Sequence, residues 1–344
     1  MSLLSVIKRK VKTHLFTTPS HSGKFFIHHK FYQFYKNDIS ETDTHNPLEA
    51  LNKAESKAAQ IYGTKTTKFL TNGSTSGIIA AVLTCVNKGE KVLIWNKSHP
   101  CHKNAVELAN GEIIEYELPY LEDWGIYGEL SKELLENYLK DNNIKAIIVT
   151  SPSYEGITSD IKSLKEVCQK HNTYLIVDEA HGALYPFNDK LPKSAVNIAD
   201  FTVQSLHKTA GGLNPTALLH TMTNLDISKS LAKINTTSPS YPLLATIEAN
   251  INYLNSKKGR KNINKLIDKI EKIKNNIKNI EFYNGDITKI LIKKSNISGF
   301  ELSEKLYNLG IEDEKANNKS VLLLTGLGTD DKKLDYLAKK LTKI

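Results

Sequence analysis

The chain reads as an α/β protein: a mainly parallel sheet with helices on both faces, followed by a small C-terminal α/β unit. Three observations predict this. From Lys68 to His220, short apolar runs alternate with stretches of helical periodicity. The runs are continuously apolar rather than alternating, as strands covered on both faces must be. The length of 344 residues exceeds one average domain, so more than one lobe is expected. The organisation expected is an N-terminal arm over 1–46, a large domain over 47–242, and a helical connection with a small domain over 243–344.

The arm mixes aromatic and polar residues, Phe25, Phe26, Phe31, Tyr32, Phe34 and Tyr35 among them. Its weak periodicity suggests a segment that packs over a partner surface. Pro47 opens a helix running through Leu48, Ala54, Ala58 and Ile61, and Gly63 ends it. Strands are predicted at Lys91–Trp95, Ile113–Glu117, Ala146–Thr150, Tyr174–Val177, Phe201–Val203 and Ala217–Leu219. Helices are predicted at Gly77–Val86, Cys101–Ala109, Ser131–Leu139 and Ile161–His171. After Pro242 a long helical stretch reaches Ile280 with a break near Gly259. Strand Ile287–Ile292, helix Gly299–Gly310, strand Val321–Leu324 and helix Asp331–Thr342 complete the chain.

Composition excludes several classes. No run approaches the roughly 18 apolar residues of a membrane helix, and the start of the chain lacks the apolar core of a signal peptide. The net charge of +9 invites a nucleic-acid reading. The lysines, however, fall on the solvated faces of amphipathic patterns such as Ile263–Ile280, and no recognition motif accompanies them. Cys85, Cys101 and Cys168 are odd in number and widely spaced. They form neither a metal pattern nor a disulfide framework, so no metal and a cytoplasmic location are expected. Arginine occurs only at positions 9 and 260. An enzyme that grips a substrate carboxylate through the whole reaction uses a bidentate arginine. One that expels the carboxylate gains by leaving it loose.

Three motifs carry chemistry. Thr71-Asn72-Gly73-Ser74-Thr75-Ser76-Gly77 is a glycine- and hydroxyl-rich turn that opens a helix, a source of N–H and O–H donors for a phosphate. Asp178 ends an apolar run in Asp178-Glu179-Ala180-His181-Gly182, and Lys208 follows the next run in Ser205-Leu206-His207-Lys208. Singly, each is an ordinary cap, turn or solvated lysine. Together and in this order they are the parts that hold pyridoxal phosphate. The lysine forms a Schiff base, the aspartate pairs with the pyridinium nitrogen, and the turn takes the phosphate. In open α/β sheets such ligands lie beyond the C-terminal strand ends, where Asp178 and Lys208 fall.

These motifs resemble the fold-type-I pyridoxal-phosphate decarboxylases acting on ornithine, lysine and arginine. Thr18-Pro19-Ser20-His21-Ser22-Gly23-Lys24, Asp38-Ile39-Ser40-Glu41 and His45-Asn46-Pro47 are similar to that family's N-terminal blocks. Ser98-His99, Ser151-Pro152-Ser153-Tyr154-Glu155-Gly156 and Thr236-Thr237-Ser238-Pro239-Ser240-Tyr241 fit later ones. The resemblance implies that His99 stacks on the cofactor ring and that Ser74, Thr75, Ser205 and His207 donate to its phosphate, with Ser76 doing so or capping the helix. It places His181 near the ring's hydroxyl edge or the substrate. Thr236 or Thr237 would reach the phosphate of a second subunit, so a homodimer is expected. The expected reaction is decarboxylation of a small basic amino acid, with His207, Lys208 or His181 returning the proton. The alternatives are another lyase, aldolase or racemase reaction on the same core, or cofactor binding without turnover. Candidates to receive a cationic side chain are Glu155, Asp43 and Glu179. Two features depart from the family: Leu206 stands where it has threonine, and its members continue into a further C-terminal domain, which suggests looser substrate selection here.

Overall fold

The computed structural model describes residues 2–12, 19, 32–40, 42, 46–140 and 143–344. Of the N-terminal blocks, Thr18, Ser20 to Lys24, Glu41, Asp43 and His45 lie outside the described residues.

Strands β1 (Thr66–Leu70), β2 (Lys91–Trp95), β3 (Glu112–Tyr116), β4 (Tyr120–Leu121), β5 (Ile126–Tyr127), β6 (Ile144–Thr150), β7 (Tyr174–Asp178), β8 (Phe201–Ser205) and β9 (Ala217–Thr221) precede the long helices. Seven of them form one sheet in the order β1-β9-β8-β7-β6-β2-β3. Strands β3, β2, β6, β7 and β8 run parallel, while β9 is antiparallel to both of its neighbours, β8 and β1. The sheet is therefore mixed but mainly parallel, and the run at Ala217 supplies the reversed strand.

Alternate residues of one strand enter opposite cores, as the pleat requires. Ala146, Ile148 and Ile176 pack with Ile78, Val82 and Val203 on one face. Ile147, Val149, Leu175 and Val177 pack with Leu135, Leu164 and Val167 on the other. Both faces are covered, and for that reason the strands read as unbroken apolar runs. Helix Gly73–Cys85 lies tightly on the sheet: a Cβ on Gly77 would come within 2.7 Å of Val203 Cγ1.

Two helices, Tyr241–Asn255 and Lys257–Asn276, lead to a second sheet. Its strands β10 (Glu281–Phe282), β11 (Lys289–Lys293), β12 (Lys315–Ala316) and β13 (Val321–Leu324) are antiparallel in the order β10-β11-β13-β12.

One expectation needs correction. The helical break falls at Ser256, whose hydroxyl caps the second helix by accepting the Gly259 N–H at 3.0 Å. Gly259 sits inside that helix because a Cβ there would lie 2.0 Å from the Tyr253 carbonyl. Within the described part of the arm, one segment packs on its own chain. Helix Leu3–Lys10 buries Leu3, Val6 and Ile7, and the Leu3 N–H donates to Glu248 Oε2 at 2.7 Å.

Candidate active site

Strands β7 and β8 are parallel neighbours, so Asp178 and Ser205 finish at the same edge of the sheet. The short helix Leu206–Thr209 follows β8 at once and carries His207 and Lys208. Leu206, the departure from the family pattern, is fully buried in the apolar core, which accounts for its side chain. The topology thus delivers an acid and a lysine to one place from adjacent strands.

The Asp178 carboxylate is buried and held from two sides. The Ala180 N–H donates to Oδ1 at 3.1 Å, and His102 Nε2 donates to Oδ2 at 3.0 Å. Burial works to raise its pKa, but the His102 bond and charge, the Lys208 charge and the Ala180 amide outweigh it. The acid is therefore held below its ordinary range, as an anion. His102 is itself fully buried, on helix Pro100–Leu108.

Lys208 Nζ lies 3.1 Å from His181 Nε2. Burial lowers the lysine's pKa, while Asp178 opposes the shift. His181 is pushed down to about 2, by burial first and then by the charges of Lys208 and Lys289. Its ring is therefore neutral, and Nε2 accepts from the lysine. The Tyr154 ring packs against the imidazole with centroids 4.5 Å apart and stands 5.9 Å from Lys208 Nζ. The Tyr154 hydroxyl donates to Glu314 Oε1 at 3.2 Å, so a carboxylate from the second sheet faces the mouth of the site.

The remaining predicted residues take varied positions. His99 caps helix Pro100–Leu108, its Nδ1 accepting the Cys101 N–H at 3.2 Å, and its ring is exposed within electrostatic reach of Asp178 and Lys208. Ser74 and Thr75 occupy the first turn of helix Gly73–Cys85, where backbone N–H groups lack helical partners. Gly73 there has φ 75°, a left-handed value that favours glycine. Ser76 donates to the Gly73 carbonyl at 2.8 Å and so neither caps the helix nor points outward. Among the described residues Ser205 Oγ is buried without a partner. His207 Nδ1 donates to the Thr216 carbonyl at 3.1 Å, which fixes its ring to the loop before β9. Thr236 and Thr237 are exposed, with Thr236 Oγ1 accepting the Ser238 N–H.

Two suggested side-chain receptors are employed elsewhere. Glu179 is buried under the sheet edge, accepting from Ala195 N–H, Ser194 Oγ and Gln204 Nε2. Glu155 pairs with Lys315 at 2.9 Å and accepts from Ser153. Asp43 lies outside the described residues. Sequence reasoning missed His102, Tyr154 and Glu314. His102 had a signal, since it stands in the first turn of the helix that His99 caps. Glu314 had none, because only the folding of the second sheet brings it near.

A buried anionic carboxylate opposite a desolvated lysine suits a ring that carries a cationic nitrogen at one end and a carbonyl at the other. The open first turn of helix Gly73–Cys85 and the unpartnered Ser205 hydroxyl, beside that pair, suit a phosphate. These residues could together hold pyridoxal phosphate.

Residues 3–298 match the family described as Orn/Lys/Arg decarboxylase, major domain. An arginine decarboxylase of Halalkalibacterium halodurans is 27% identical over 88% of this chain and 66% of its own length. The constitutive lysine decarboxylase of Escherichia coli is 23% identical over 76% of this chain and 41% of its own. The crystal structure of a Francisella novicida lysine decarboxylase superposes on 99% of this chain and 59% of that one, with TM-score 0.87 at 20% identity. The chain spans less than two thirds of the length of each of these relatives. The fold is that of the fold-type-I pyridoxal-phosphate enzymes, and the chain belongs to the Orn/Lys/Arg decarboxylase family.

Proposed function

We propose that this chain carries pyridoxal phosphate on Lys208 and decarboxylates an amino acid with a basic side chain. The observation that carries the reading is the pairing of a buried and a half-buried contact at adjacent strand ends, Asp178 with His102 and Lys208 with His181. Pyridoxal phosphate, when bound, supplies an electron sink for the pair left behind as carbon dioxide departs. Asp178, kept anionic by His102 and the Ala180 amide, would hold the proton on the ring nitrogen. His99, on the open side, would lie against the ring face. The first-turn N–H groups at Ser74 and Thr75, with the Ser205 hydroxyl, would hold the phosphate.

Burial lowers the proton affinity of Lys208 and so makes its lone pair easier to free for bond formation. His181 accepts from Nζ and keeps that lone pair directed, and its own low proton affinity makes it a poor proton thief. Lys208 itself is the group best placed to return a proton to the substrate carbon. Arg260, one of the two arginines, is bound to the Phe187 carbonyl and Asn255. That arrangement supports a reaction in which the substrate carboxylate is not clamped.

The cationic end of the substrate would lie along Tyr154 toward Glu314. An aromatic face and a carboxylate are the two groups that recognise an ammonium or guanidinium. A homodimer, with Thr236 and Thr237 directed to the neighbouring site, completes the reading.

The test is a panel of amino acids incubated with the cofactor-loaded protein, with product amine and carbon dioxide measured for each. Turnover of ornithine, lysine or arginine is expected, with the neutral isostere norleucine left unreacted. Release of an aldehyde from a β-hydroxy amino acid, with no amine from any basic one, would replace this reading by an aldolase.

A further inference from the structure

Asp286, Thr288 and Lys289 stand where the second sheet meets the first, at the entrance to β11. The Lys289 and Asp286 side chains are both 0% exposed and 3.3 Å apart. An ammonium has three donors, and each finds an acceptor: the His181 carbonyl at 3.2 Å, Thr288 Oγ1 at 3.1 Å and Asp286 Oδ2 at 3.3 Å. Asp286 is equally occupied. It accepts from the Tyr185 hydroxyl at 2.7 Å and from the Thr288 N–H and hydroxyl at 2.8 Å each. The Asp286 N–H donates to the Gly156 carbonyl at 3.0 Å. A Cβ on Gly156 would lie 2.9 Å from Lys289 Cγ.

One buried ion pair therefore touches both turns that face Lys208: the turn carrying His181 and the turn Ser153–Gly156 carrying Tyr154. Stability alone is a weak reason for it. A buried pair of charges contributes little beyond what apolar residues of the same volume would, because both charges must be desolvated. What an apolar pair cannot do is hold a carbonyl oxygen at a set point.

We propose that Lys289 is a positioning residue: its ammonium holds the His181 backbone and so sets the imidazole against Lys208 from the second sheet. The inference rests on the reading that Lys208 carries the cofactor. Its consequence is that docking of the second sheet and geometry at Lys208 are coupled, because the ion pair belongs to the sheet and the carbonyl belongs to the site.

The charge of Lys289 adds a second readout. The charged and titratable groups facing Lys208 and His181 are Asp178, Cys101, His99, His207, Glu314 and Lys289, with the Tyr154 ring beside them. Lys289 disfavours protons at both residues. Without it a proton near Lys208 is held more tightly.

The test uses the full chain loaded with pyridoxal phosphate, as Lys289→Met and as Lys289→Met with Asp286→Asn. The double variant removes both charges and keeps the volume, which protects folding if the single variant leaves Asp286 unpaired. The pH midpoint of the Schiff-base absorbance change should rise in Lys289→Met by about one unit. Amide exchange over Ala180–Leu184 should quicken by about tenfold in both variants. Folded variants that melt earlier yet keep the parent midpoint and the parent exchange would reduce Lys289 to a structural residue and overturn the proposal. If the parent chain shows no Schiff-base band with added cofactor, the reading beneath the proposal is what fails, and the proposal falls with it.

Discussion

The two ends of the proposed site are built differently. At the inner end Asp178, His102, His181 and Lys208 are enclosed, and each named contact is short and between buried or half-buried groups. At the mouth Glu314 and Lys315 are exposed, and Tyr154 is 39% exposed. Electrostatic interactions at the inner end act through a poorly screened interior, whereas solvent and salt weaken those at the mouth. Chemistry and selection should therefore reside at different ends. The inner end can move proton affinities by large amounts, as the His181 ring shows. The mouth can only bias which substrate enters.

Substitutions at the two ends should therefore separate. The largest effect is expected for Asp178→Asn, which keeps shape but removes the charge. Loss of a preorganised electrostatic partner costs on the order of 100- to 1,000-fold in kcat, with cofactor still bound. Near-parent kcat in a folded Asp178→Asn protein would remove the functional contrast between the ends.

Glu314→Gln should do less and do it elsewhere. KM for a basic substrate should rise about tenfold with kcat little changed, because an exposed charge gives up part of its effect to solvent. The change should shrink as salt is added. A fall in kcat with KM unchanged would place Glu314 with the chemistry instead.

A further effect, away from turnover, concerns stability. His181 and His220 are buried neutral, pushed down to about 2 and about 3, chiefly by burial. Unfolding exposes both to their ordinary affinity near pH 6.5. The unfolded chain then binds more protons than the folded one at any pH between those values. The stability that these rings contribute is thus full above about pH 6.5 and falls as the pH drops below it. In cofactor-free protein, His220→Gln should reduce the acid-side slope by one proton, about 1.4 kcal/mol per pH unit. His181→Gln should do likewise, and urea titrations between pH 4 and 6 would measure both. A slope unchanged by either substitution would mean that these rings already titrate in the folded chain.

The same contrast explains how much the sequence disclosed. The strands of the large sheet were legible because both of its faces are covered, so β2, β6, β7 and β8 read as apolar runs. Asp178 was legible because it ends such a run, and Lys208 because it lies in the short helix just after one. Reversal of β9 was not, since an antiparallel strand buried on both faces has the same composition as a parallel one. The two-residue strands β4, β5, β10 and β12 leave no periodicity to detect. At the mouth, Tyr154 and Glu314 are 160 positions apart, and nothing local to either marks their meeting. Glu179 shows the opposite error: an acid beside a motif, but turned under the sheet to hold Ser194, Ala195 and Gln204.

Lys208 is the residue at which the inner end is expected to do its work. Borohydride reduction of the cofactor-loaded protein, followed by peptide mapping, tests it most directly. One pyridoxyl group per chain is expected on the peptide that contains Lys208, despite the many other lysines, since burial and the His181 contact make that amine the reactive one. Label on Lys289 or spread over surface lysines, with Lys208 unmodified, would contradict it.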